Sequence, residues 1–334
     1  MKKSFGVALA CFNGIKYISA QLESICRQAV QPDLISISDD CSTDGTSEFL
    51  REFKRRSNIP VAITSNARRL GVIENFLNAF RQCDTDYIAY CDQDDVWHDE
   101  KVAICKDILS TTGAALVIHK STVVNEDLVP LGRAVPFNVR EGLYQFPLYP
   151  DYLWGFGHQM VASREVVRVM IAIKEEDLLD VPQTDVGFGF DFAFPLAAGM
   201  VGDIFFLDQE LMKFRRHRGS VSPAGKFGVA GGESRVADSR ADRIQRNLAI
   251  LESLLLRIPR TSIPVKHKGM YVDHLRSLRD RYGLRKAVYG SAAQRERVSA
   301  FASLVRTGAY GSMLKNQLPA WYAAVDCGRA LFGR

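Results

Sequence analysis

Apolar and polar positions follow two rhythms over the first 120 residues. "SFGVALACF" (4–12) is an unbroken apolar run closed by Asn13-Gly14, the pattern of a parallel strand buried on both faces rather than of a signal peptide. "YISAQLESICRQ" follows, with Tyr17, Ile18, Leu22 and Ile25 near helical spacing. "DLISISDD" (33–40) predicts a second strand that ends in carboxylates, and "STDGTSEFLREFKRR" a helix capped by Ser42 or Thr43. "IPVAITSN" (59–66), "DYIAYCD" (86–92) and "AALVIHKS" (114–121) read as three more strands, and "GVIENFLNAFRQC" (71–83) as a helix. Such alternation predicts an α/β sheet with helices on both faces, which binds ligands beyond the carboxyl ends of its strands. Two acidic clusters fall there: Asp39-Asp40, and Asp92, Asp94 and Asp95.

Beyond residue 122 the rhythm loosens into Pro, Gly and aromatic residues, with a small strand and a helix from about Ser163. "DVGFGFDFAFPLAAGM" (185–200) reads as a loop entering an apolar helix, and 203–222 as a strand followed by a basic loop. Residues 223–239 are glycine-rich and predict a flexible linker. Helical spacing resumes at 240, where Ile244, Leu248, Leu251 and Leu255 form a stripe, and continues through 265–281 and 292–306. Three regions follow: 1–222, the linker 223–239, and a basic helical region 240–334.

Charge sharpens that division. Residues 1–212 carry 19 Lys and Arg against 30 Asp and Glu, net −11, whereas residues 213–334 carry 24 against 8, net +16. The basic part suits a solvated helical face or an anionic membrane surface; no recognition motif supports nucleic acid. No apolar run reaches the ~18–20 residues that span a bilayer. The 7 cysteines form no CxxC pair, which fits reduced thiols in the cytoplasm and excludes a zinc cluster of the usual spacing.

Carboxylates as crowded as "CDQDD" need a cation, a basic partner or neutralisation of one member. Oxygen ligands in a turn suit Mg²⁺ or Mn²⁺ completed by water and substrate phosphates; a solvated acidic turn is the plain alternative. His119, His158 and Trp97 are expected to be structural, and Trp154 to pack or to border a ligand.

In order and spacing, "VALACFNG…YISAQLESICRQ", "ISISDDCSTDGT" and "YIAYCDQDDVWHDEK" resemble the N-terminal half of family 2 glycosyltransferases with the GT-A fold. "DQDDVW", "WGFGHQMVASREV" and "FDFAFPLAAGMVGDIFFLDQELMKFRRHRGSVS" resemble its bacterial subset that includes rhamnosyltransferases of polysaccharide assembly. The resemblance covers about residues 5–222. It implies an inverting, metal-dependent transferase acting on a dTDP- or UDP-linked sugar and a saccharide or lipid-linked saccharide acceptor. It further implies a cytoplasmic enzyme, with a peripheral place on the inner face of the plasma membrane as an option. Asp39 or Asp40 would meet the base, Ala10, Phe12 and Asn13 the nucleotide, and Asp92 the ribose or sugar. Asp94, supported by Asp95, would hold the metal, and Arg215, Arg216 and His217 would face the diphosphate. Asp191 stands where the family has its base, with Phe190 replacing the usual His or Glu before it and Asp185 as the lesser candidate. A nucleotidyltransferase or a non-catalytic scaffold of the same fold are the alternatives. The missing GxGxxG after the first strand disfavours a dehydrogenase.

Overall fold

The computed structural model describes residues 3–135, 140–146, 157–176, 188–220, 240–290, 293–307 and 326–331. Its strands are β1 (Phe5–Cys11), β2 (Leu34–Asp39), β3 (Val61–Ser65), β4 (Tyr87–Cys91), β5 (Val96–Trp97), β6 (Leu116–Val124), β7 (Pro130–Val135), β8 (Gly142–Tyr144), β9 (Met160–Ser163) and β10 (Ile204–Arg215). Its helices are α1 (Ile18–Cys26), α2 (Thr46–Arg56), α3 (Val72–Gln82), α4 (Lys101–Thr112), α5 (Arg164–Glu175), α6 (Phe188–Val201), α7 (Arg240–Arg257), α8 (Lys268–Tyr289) and α9 (Gln294–Arg306). The five apolar runs of the first 120 residues all form strands of one mixed sheet. Its order is β3-β2-β1-β4-β9-β6-β10-β5, with β7 added on β6 and β8 on β10.

Every residue of β1 and β4 is buried, as central parallel strands with both faces covered require. Side chains alternate between the faces. Val7 and Leu9 join a cluster with Ile18, Leu22, Leu50, Val102 and Leu109, under α1, α2 and α4. Ala8 and Ala10 join the other cluster, with Phe76, Val166 and Phe194, under α3, α5 and α6. That second cluster runs on without a break into Leu248, Leu251, Tyr271, Leu275 and Tyr282, so α7 and α8 complete the core. Tyr271 fastens the junction by donating its hydroxyl to the Leu196 carbonyl at 2.9 Å. The expected linker 223–239 lies outside the described residues.

The start of α2 differs from expectation. Its N-cap is Gly45, at φ 96°, and not Ser42 or Thr43. Ser42 turns its hydroxyl to Asp39, and the Thr43 N–H donates to Asn13 Oδ1 at 2.9 Å, so both serve the neighbouring loop instead. The helix α4 and the strands β5 and β7 carry no clear hydrophobic rhythm. Two-residue β5 is too short to have one, and α4 buries a lysine, Lys101, among its apolar positions.

Topology gathers the loops. β2, β1 and β4 run parallel, so their carboxyl ends share one edge. Antiparallel β9 brings its amino end to that edge, and with it the helical turn Gly157–Gln159. β10 reaches the same edge parallel to β6, and β5 pairs with it there, setting Trp97 opposite Met212.

Gly6 on β1 has no room for a side chain. A Cβ there would lie 2.3 Å from Cys83 Sγ and 2.4 Å from Thr85 Oγ1. Gly6→Ala is therefore expected to cost about 1–3 kcal/mol, read as a lower urea midpoint at unchanged slope. An unchanged midpoint would refute this packing.

Candidate active site

Register pairs Cys11 with Asp39 and Leu9 with Cys91, so Phe12-Asn13, Asp39-Asp40 and Asp92–Asp95 leave the sheet side by side. Ala10, buried opposite Ser38, backs this edge. Asp39 is fully buried and accepts hydrogen bonds from the hydroxyls of Ser42 and Ser47. Asp40 accepts from Asn66 Nδ2 at 3.0 Å and from the N–H groups of Leu70 and Gly71 at 2.7 and 2.9 Å, stapling the start of α3 to the end of β2. Asn13 and Cys41 take the left-handed conformation, with φ 48° and 65°. Arg69 lays its guanidinium 4.2 Å from the centroid of the Phe12 ring.

Each carboxylate of "CDQDD" has its own answer. Asp92 Oδ2 lies 3.4 Å from His158 Nδ1. Burial pushes its carboxyl up against the pull of that histidine, although 34% of the side chain is exposed. Asp94 Oδ2 lies 2.8 Å from His217 Nε2. The Gly219 N–H donates to Nδ1 of that ring at 3.1 Å, so Nε2 carries the proton that Asp94 accepts. Asp95 is fully buried and accepts the Arg215 N–H at Oδ1, 2.9 Å away. Its Oδ2 has no hydrogen-bond partner and sits 3.9 Å from His158 Nδ1. Burial, then the charges of Asp94 and Asp92, push the Asp95 carboxyl well above the usual range. Burial also holds the His158 imidazole below its ordinary value, hence neutral at pH 7.

Asp92, Asp95 and His158 thus each offer one ligating atom, all within 4.8 Å of one another. Asp94, expected beside Asp95 as a ligand, is turned instead to His217. The basic segment is equally committed. Arg215 donates Nε to the Asp94 carbonyl at 2.8 Å and Nη1 to the Glu126 carbonyl at 2.9 Å, while its buried Nη2 has no partner. Buried Arg216 lies against the Phe214 ring, 5.0 Å from its centroid.

Asp191 lies in the first turn of α6 and accepts the Gly157 N–H at 3.0 Å. Burial first, then the charge of Asp92, raises its pKa to about 8. Pro195, four residues on, supplies no N–H to the carbonyl of residue 191. Gly157 is pressed on Tyr90, where a Cβ would come within 2.5 Å of the ring. Tyr90 in turn stacks on Phe76, with centroids 3.9 Å apart. Asp185 and Trp154 lie outside the described residues. His119 is interior, its Nδ1 2.8 Å from the Lys120 carbonyl.

Four participants go beyond the sequence reading. Gln93, the middle residue of Asp-x-Asp, holds Phe12 by both backbone groups: its Oε1 accepts the N–H at 2.9 Å and its Nε2 donates to the carbonyl at 3.1 Å. Gly157 and His158 had a signal in the glycine spacing of "WGFGHQM". Tyr17 fits the helical stripe, yet its ring stacks on His217 at 4.3 Å and its hydroxyl donates to Glu126 Oε1 at 2.9 Å.

This geometry meets a known family. Residues 7–170 match the model of glycosyl transferase family 2. In detail, the chain is 34% identical over 105 residues to the dTDP-rhamnosyl transferase RfbG of Shigella flexneri, covering 30% of this chain and 36% of that protein. It is 24% identical over 135 residues to the putative teichuronic acid biosynthesis glycosyltransferase TuaG of Bacillus subtilis, covering 40% and 53%. The chain therefore spans about a third to a half of these two relatives. Among solved structures, S. aureus TarS 1-349 in complex with UDP-GlcNAc superimposes with a TM-score of 0.59 at 15% identity, covering 99% of this chain and 93% of that one. The fold is thus the GT-A type.

Two outcomes follow from the geometry around Asp191. Gly157→Ala must displace the Tyr90 ring or the turn, so it is expected to lower stability by about 1–3 kcal/mol in urea unfolding. For Asp191, a folded-state pKa of about 8 against an unfolded value near ~3.9 means the fold favours the neutral acid. Its ionisation therefore costs stability progressively as pH rises from about 4 to about 8. Asp191→Asn is expected to match the wild type in Tm below pH ~4 and to exceed it at pH ~8, by about 2–4 °C for each ~1 kcal/mol relieved. Equal Tm at both pH values would refute the raised pKa of Asp191.

Proposed function

We propose that the chain is an inverting glycosyltransferase that moves a sugar from a nucleoside-diphosphate donor to a saccharide or lipid-linked saccharide acceptor in cell-surface polysaccharide synthesis. The observation that supports it most is the meeting of a three-carboxylate loop with a separate half-buried acid, Asp191, at one sheet edge of a GT-A fold.

A divalent cation fits Asp92, Asp95 and His158, because Asp95 Oδ2 is buried without a partner and faces the other two. A mixed oxygen and imidazole set suits Mn²⁺ better than Mg²⁺. Asp94 would join through the carboxylate oxygen that His217 does not hold. When bound, such an ion supplies positive charge for a leaving diphosphate. Arg215 offers that diphosphate its unpartnered Nη2, and Arg216 and His217 add positive charge or N–H donors around it.

On the nucleotide side, Phe12 presents a ring for the base, and Asn13 and Ala10 the backbone of the strand end. Asp39 would take a base N–H by exchanging one of its serine partners. Asp40 keeps the loop before α3 in place. In its carboxylate form, whose share grows as pH rises toward about 8, Asp191 would accept the proton of the acceptor hydroxyl as the new C–O bond forms. The anomeric C–O bond to phosphate breaks on the opposite face, and its electron pair leaves with the diphosphate. A single displacement inverts the anomeric centre and needs one base only.

The name of the RfbG relative favours a dTDP-linked deoxysugar such as rhamnose, whereas that of the TarS complex favours UDP. A lipid-linked acceptor at an anionic cytoplasmic membrane face fits the net +16 of residues 213–334. Part of that charge is neutralised locally, as in Arg276–Asp273 and Arg279–Asp280. No helix among the described residues is long and apolar enough to cross a membrane.

A thermal-shift panel of UDP, dTDP, GDP and CDP with and without Mn²⁺ tests the reading. One nucleotide is expected to raise Tm by about 5–10 °C at ~100 times its Kd, and only with the metal. Asp191→Ala should keep that shift yet lose roughly 10²–10⁴-fold in transfer. Stabilisation by none of the four would sink the proposal.

A further inference from the structure

Lys101 is the one fully buried lysine among the described residues, and the proposed chemistry does not use it. It opens α4, just after β5, and its side chain is fully buried. Its ammonium donates to the His158 carbonyl at 3.0 Å, lies 4.0 Å from the centroid of the Trp97 ring, and sits 3.8 Å from Met212 Sδ. These partners come from three elements. Trp97 belongs to β5 at the end of the acidic loop, Met212 is its register partner on β10, and His158 belongs to the turn before β9.

Burying an ammonium costs several kcal/mol, and apolar residues of equal size often do as well or better in such places. The cage offers partial compensation: one carbonyl, one aromatic face, one sulfur, and the nearby charges of Asp95 and Asp92. Stability alone therefore gives a poor reason for a lysine here. Geometry gives a better one. The peptide it holds belongs to His158, whose ring faces Asp92 and Asp95, and the preceding residue, Gly157, gives its N–H to Asp191. The turn 157–159 thus touches both the carboxylate loop and the acid on α6, and Lys101 holds it through the His158 carbonyl.

We propose that Lys101 is a positioning residue: by clamping the 157–159 turn to Trp97 and Met212 it fixes the distance between the acidic loop and Asp191. The catalytic meaning of that distance rests on the glycosyltransferase reading, but the clamp itself does not.

The test compares wild type, Lys101→Met and Lys101→Gln by amide hydrogen exchange, Tm, and consumption of UDP- and dTDP-sugars with Mn²⁺. Lys101→Met keeps the volume and loses the donor. It is expected to melt at or above the wild-type temperature while exchange in peptides covering 91–101 and 157–163 accelerates by roughly tenfold or more. Peptides from β1 to β3 should not change. Turnover should fall with the local loosening, and Lys101→Gln, which restores an N–H donor to the His158 carbonyl, should regain most of the protection and turnover. If Lys101→Met fails to fold, Lys101→Gln decides alone: wild-type protection at 157–163 supports the clamp and its loss overturns it. Unchanged exchange at 157–163 in Lys101→Met overturns it, as does uniform acceleration of all peptides with a lowered Tm, the mark of a mere core plug. A wild type that consumes no nucleotide sugar would strike the glycosyltransferase reading and leave the exchange result to judge the clamp.

Discussion

Three carboxylates within four residues repel one another, and the edge of this sheet is built to answer them separately. Asp92 faces a neutral histidine, Asp94 accepts a proton-bearing imidazole nitrogen, and Asp95 takes a backbone N–H. The three answers come from residues 158, 217 and 215, far along the chain. The acidic loop therefore has its shape only once β9 and β10 are beside it. One oxygen, Oδ2 of Asp95, is left over in a buried place, and that surplus acceptor capacity is what separates the cluster from an ordinary acidic turn.

The same segments set the other half of the site. Gly157 can bond Asp191 because it has no side chain to keep it off the Tyr90 ring, and Tyr90 precedes the acidic loop by two residues. The base candidate, the loop and the turn between them are thus packed around one aromatic ring. On the far side, Tyr17 and Glu126 lean on His217 and Arg215, so the basic segment is held rather than free over the loop. A cation or a diphosphate entering here would meet partners already placed and would exchange contacts instead of ordering a loose chain, which keeps the entropic cost of binding low.

The sheet was legible because its central strands are buried on both faces and so read as continuous apolar runs. The acidic clusters were legible as strand ends for the same reason. What the pattern cannot carry is the partner of each group. Nothing in "FRRHRGS" shows that the Arg215 guanidinium gives two of its nitrogens to backbone carbonyls and keeps only Nη2 unpartnered. Tyr17 satisfies the helical spacing of α1 and still turns its ring toward residue 217, because it sits at the N-cap where the side chain leaves the helix stripe. Gln93 hides inside a motif known by its neighbours. Ser42 and Thr43 have the chemistry of a cap but are drawn off by Asp39 and Asn13, which lie next to them only after β1 and β2 have paired.

The continuous core beneath α6 also has an order in time. That helix, "FGFDFAFPLAAGMV", is apolar on nearly every side, and its outer face is covered by Tyr271 and Tyr282. A chain emerging from the ribosome completes the sheet edge and its acidic loop when residue 217 is out, but it holds α6 uncovered until some sixty-five more residues have followed. The turn that carries Asp191 is accordingly the last part of the site to be fixed during synthesis. Until then the nascent protein presents its acidic loop without the carboxyl of α6.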